Sequence, residues 1–125
     1  MDIQSANQSE MIFQALKHLT FSAHYLAKKA HDEVIKSENH PERHETAATA
    51  FVNQASAYMS AAYALYYTNY DALARNDIED VFESFQKFSE ELLQSFAENH
   101  SYQYTHIYFD EFMSDFKSSV LSNPI

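Results

Sequence analysis

The chain has 125 residues and a formal net charge of −10, with two prolines and no glycine, cysteine or tryptophan. The missing glycine excludes phosphate-cradling loops, dinucleotide fingerprints and most tight hairpins, all of which need positive φ or close backbone approach. The missing cysteine excludes disulfides, thiolate nucleophiles and Cys-type zinc sites.

Four helical blocks follow from the hydrophobic periodicity, taken over residues 1–125 as a single domain. The first, about 9–37, carries Ile12, Leu16, Leu19, Ala23, Leu26, Ala30 and Val34 at four- and three-residue steps that alternate as far as Ala30. That spacing is a heptad seam. It stops before Pro41, which disfavours helix in the residue preceding it and suits the first turn of the next helix.

The second block, about 41–74, places Ala48, Phe51, Val52, Ala55, Met59, Ala62, Tyr66 and Leu73 on its seam, with further alanines beside them. Residues 46–70 contain no charge. Asn53, Gln54 and five tyrosines make this stretch too polar for a membrane span, so it is expected to be a helix with neighbours on most sides. The break at residues 75–77 predicts an N-cap at Asn76 or Asp77.

The third block, about 78–98, has Ile78, Val81, Phe82, Phe85, Phe88, Leu92 and Phe96 on one face, opposite Asp80, Glu83, Lys87, Glu90, Glu91 and Glu98. The fourth, about 104–121, has Phe109, Phe112, Met113, Phe116 and Val120 as its apolar stripe. Helices of this length joined by short breaks pack antiparallel. The expected fold is all-α, an up-down antiparallel four-helix bundle.

Charge is unevenly placed. Residues 1–75 hold eight acids and six bases, and residues 76–125 hold ten acids and two bases. A phosphate-binding surface needs Lys and Arg, so no direct contact with nucleic acid or an anionic membrane is expected, whereas a basic protein surface suits the C-terminal part. The polar N-terminus lacks the basic start and apolar run of a secretory signal, so a cytoplasmic setting is expected.

Catalytic patterns are absent. No Glu is followed three residues later by His, as a di-iron bundle requires. A helical ribonuclease of the HEPN type carries Arg followed four to six residues on by His, and neither Arg43 nor Arg75 meets that pattern. The acids lie opposite the apolar seams, where nothing raises a carboxyl pKa for acid–base work. The chain is expected not to be an enzyme, and no cofactor or metal is assigned. The alternative is a metal-binding bundle using His24, His31, His40 or His44; Pro41 interrupts the His40–His44 pair.

Two surfaces remain as candidates for partner binding. On the third block, Glu79, Asp80, Glu83, Glu90 and Glu91 present carboxylates one or two turns apart, at intervals of about 6–10 Å. Such rows can stand in for backbone phosphates toward a basic groove. On the fourth block, Tyr104, Ile107, Tyr108, Glu111 and Asp115 form a stripe away from the Phe109–Phe116 face, in which aromatics sit among acids as at partner interfaces. Phe21 and Tyr25 similarly lie off the first seam, and such extra faces also permit a structural homodimer. In its general character the chain is similar to compact acidic inhibitors of the anti-CRISPR, anti-restriction and toxin-immunity kinds, a likeness of composition with no shared motif. It implies a non-enzymatic protein that occupies a basic partner surface.

Overall fold

A computed structural model describes residues 3–39 and 41–123, with side chains described for 7–39 and 44–123. It is all-α, with no strand among the described residues. The helices are α1 (Ile3–Ser37), α2 (Pro41–Thr68), α3 (Tyr70–Leu73), α4 (Asn76–Glu98) and α5 (Gln103–Ser118), followed by a 3₁₀ turn over Val120–Ser122.

Several boundaries differ from those read in the sequence. The first helix begins at Ile3, about six residues before the expected start of the block at 9. The long second block is two helices, because the chain breaks at Asn69. There the Asn69 carbonyl accepts from the amides of Ala72 and Leu73, and its side-chain amide donates to the Leu65 carbonyl at 2.9 Å. An Asn side chain that competes for backbone partners is a helix interrupter, and this one resets the helix. The N-cap of α4 is Arg75 rather than Asn76 or Asp77, with extended backbone and no side-chain cap. Asp77 instead takes Arg75 Nε at 2.8 Å on one oxygen and the Val120 amide at 2.9 Å on the other. The last helix stops at Ser118, and Ser119 Oγ caps the 3₁₀ turn by accepting from the Leu121 amide.

The core follows the seams closely. α2 contributes Ala48, Val52, Ala55, Met59, Ala62 and Tyr66, while α4 contributes Ile78, Val81, Phe82, Phe85, Phe88 and Leu92. α1 departs most from its heptad reading. Ile12, Leu19 and Leu26 are only partly covered, whereas Thr20, Ala27 and His31, off the seam, are buried. The buried stripe keeps a seven-residue repeat, Leu16, Thr20, Ala23, Ala27, Ala30, Val34 and Ser37, so one line of the seam lies a residue later than the larger apolar side chains Leu19 and Leu26 suggest. The most extensive approach is α1 to α2, the next α4 to α5, and α2–α4 and α1–α5 contacts join the two pairs. α5 is tied at both ends, antiparallel to α4. Ser95 Oγ meets Thr105 Oγ1 at 3.1 Å at one end, and Asp77 holds Val120 at the other. None of the described helices is long and apolar enough to cross a membrane.

Candidate partner-binding surface

The position of α5 sorts the carboxylates of α4 onto two flanks. Phe85 and Phe88 pack on Phe112 and Phe109 at ring-centroid distances of 5.4 Å each, and Ser95 bonds Thr105, so α5 covers the flank that carries Ser84, Phe88 and Ser95. At about 100° per residue, Asp80 and Glu91 fall at the edge of that flank, whereas Glu79, Glu83 and Glu90 fall toward α2. The five acids therefore do not make one row.

Along the α4–α5 seam, the same rotation brings the stripe of α5 beside Asp80 and Glu91. Tyr104, Ile107 and Glu111 are exposed, and Tyr108 and Asp115 are partly covered, Tyr108 because it also packs against the core. The rings of Tyr104 and Tyr108 stack at 6.4 Å. Among the described residues, the carboxylates of Asp80, Glu111 and Asp115 have no hydrogen bond or ion pair, and Glu91 lies 3.9 Å from His100 Nε2. Tyr104 and Tyr108 thus share an exposed seam with carboxylates spread along its length, from Glu91 toward the Ser95–Thr105 end to Asp80 toward the Asp77–Val120 end.

The other flank is partly spent inside the molecule. Glu79 is half-buried and accepts the Tyr66 hydroxyl at 2.7 Å; burial first, and then that carboxylate, push the phenol up to about 12. Glu83 is 3.6 Å from Lys87, and Glu90 accepts from Gln86 at 3.0 Å. Between this flank and α2 lies an open groove of about 460 Å³. Its wall of exposed tyrosines, Tyr63 and Tyr67, has a signal in the sequence, since Tyr63, Tyr66, Tyr67 and Tyr70 recur at helical spacing. Only Tyr66 of the four faces the core.

Five of the described histidines, His24, His31, His44, His100 and His106, are used as side-chain partners. His24 stacks on Phe116 with centroids 4.3 Å apart. His31 stacks on Phe109 at 3.8 Å, and its Nε2 lies 2.8 Å from His106 Nδ1, whose ring in turn bonds Glu38 through Nε2 at 2.8 Å. Burial first, then the His106 charge, lower His31 to about 4. His44 meets Glu33 at 2.7 Å. Among the described residues no group of three or more His, Cys, Asp or Glu side chains is arranged to hold a metal ion, and His40 lies outside them. Off the first seam, Phe21 meets Phe116 edge-on at 5.3 Å, while Tyr25 stays exposed beneath Lys29.

Glu33, Glu38 and Glu45 thus serve the fold, bonding His44, His106 and Tyr102. Among the described residues Asp80, Glu111 and Asp115 of the α4–α5 seam do not. No protein-family model matches the chain, and no curated protein or solved structure is significantly similar to it.

Proposed function

We propose that the protein is a non-enzymatic, acidic binding protein that occupies a basic surface of a protein partner, as inhibitors of the anti-CRISPR, anti-restriction or toxin-immunity kind do. Its four long helices are taken as an up-down antiparallel bundle, acting in the cytoplasm, with the binding surface on α4 and α5. The observation that carries this reading is the seam that bears Asp80, Glu91, Glu111 and Asp115 together with Tyr104 and Tyr108. Among the described residues three of those carboxylates have no hydrogen bond or ion pair, in a part of the chain whose net charge is −8, from ten acids and two bases. Unpaired charge of one sign steers a partner of the other sign, and exposed tyrosines supply contact area at low entropic cost.

The test is charge reversal. Asp80→Lys with Glu111→Lys should abolish capture of a basic partner, while reversal of two acids elsewhere, Asp32→Lys with Asp71→Lys, leaves it in place. Equal loss from both pairs would mean that only net charge matters and that the seam is not the binding surface.

A further inference from the structure

The groove between α2 and α4 has a composition that points to a particular ligand chemistry. One wall is aromatic: Tyr63 is 53% and Tyr67 41% exposed, with centroids 4.5 Å apart, and Tyr63 meets Phe82 at 5.6 Å in the floor. Large exposed rings that the core does not need are costly to keep in water and mark contact sites. The opposite rim carries the carboxylates of Glu79 and Glu83, one helical turn apart, and among the described residues no Lys, Arg or His lines the groove.

Each carboxylate has capacity left. Tyr66 engages Oε2 of Glu79, which fixes that side chain, and among the described residues Oε1 has no hydrogen bond. Glu83 is 68% exposed and already draws one cation, Lys87, at 3.6 Å. The long uncharged stretch 46–70 means that α2 supplies no positive charge to offset this rim. An anionic ligand would be repelled, and a purely apolar one would have to desolvate two carboxylates for no return. A guanidinium group fits both walls, because its plane stacks on tyrosine faces while its N–H fork bonds carboxylates.

We propose that this groove receives an arginine side chain presented by the basic protein partner, its guanidinium stacked against Tyr63 and Tyr67 and bonded to Glu79 and Glu83. The proposal rests on the partner-binding reading above and adds a second, specific contact on the other flank of α4.

The test is an NMR titration of the full chain with N-acetyl-arginine-N′-methylamide. The citrulline counterpart, which has the same shape without the charge, serves as control. The arginine probe should shift the ring resonances of Tyr63, Tyr67 and Phe82, and the citrulline probe should not. E79Q/E83Q keeps an acceptor for the Tyr66 hydroxyl and should weaken the arginine response about fivefold or more, as expected for loss of one exposed and one half-buried charge contact. No shift at these rings, equal shifts from both probes, or shifts confined to other residues would overturn the groove. Capture of a basic partner that survives E79Q/E83Q also overturns it while leaving the seam reading intact. Probe binding without any basic protein captured would overturn the protein source and keep the guanidinium site.

Discussion

A chain without glycine must assign unusual backbone to other residues, and Asn99 shows how. It ends α4 in the left-handed region at φ 54°, the single positive φ among the described residues, and its amide returns to the Ser95 carbonyl. Asn tolerates this region better than any other side-chain-bearing residue, so the helix can stop without glycine. Tyr66 does comparable work at the other end of α4. Its hydroxyl donates to Glu79 and accepts from the Arg75 amide at 3.0 Å, joining α2 to the start of α4. Tyr66→Phe should lower stability by about 1–3 kcal/mol, the usual cost of leaving a covered donor and acceptor unpaired; urea unfolding with no change would contradict that account. His31 supplies a pH signature. Its folded value of about 4 lies below the ordinary 6.5 of an unfolded histidine, so between them the unfolded chain binds more protons. Stability should therefore fall as pH drops from about 6.5 toward 4, by up to ~3 kcal/mol, with no contribution from His31 above that window. Asp32, Glu38 and Asp110 nearby oppose the shift without cancelling it. An NMR midpoint for His31 near 6.5 would refute this.

At the scale of elements, α1 and α2 approach most extensively, and small residues line their buried faces. Ala23, Ala27 and Ala30 of α1 and Ala48, Ala55 and Ala62 of α2 are all fully buried. Ala27→Leu should destabilise by about 1–3 kcal/mol through overpacking, whereas Ala57→Leu, at an exposed position of α2, should be nearly neutral. Matching unfolding midpoints for the two variants would exclude close packing as the organising feature of this pair. The seams of α2 and α4 were legible in the sequence because their buried residues recur on one narrow stripe. The stripe of α1 was less so: the larger Leu19 and Leu26 draw the reading one residue away from Thr20 and Ala27, which lie on the buried line with Val34. The break at Asn69 was illegible for a different reason. Neither Pro nor Gly marks it, and the interrupting hydrogen bonds come from one side chain and its own carbonyl.

At the scale of the whole molecule, the C-terminal part combines high negative charge with aromatic residues that remain outside the core. The acids and rings of this surface could each be read from periodicity. Which of them share a flank could not, because that depends on where α5 lies against α4. The same holds for the groove: Glu79 and Glu83 adjoin Tyr63 and Tyr67 only once α2 and α4 are side by side. Long-range juxtaposition is set by packing between elements, and no local pattern encodes it. Binding through such a surface must be electrostatic in large part, and exposed charge contacts weaken as salt rises. The most direct measurement is affinity capture on the intact protein, washed at low and then high salt, with the retained proteins identified by mass spectrometry and the Asp80→Lys/Glu111→Lys variant run in parallel. The account predicts a basic protein held at low salt, released at high salt and not retained by the variant. A partner that resists high salt and binds the variant equally well would contradict it.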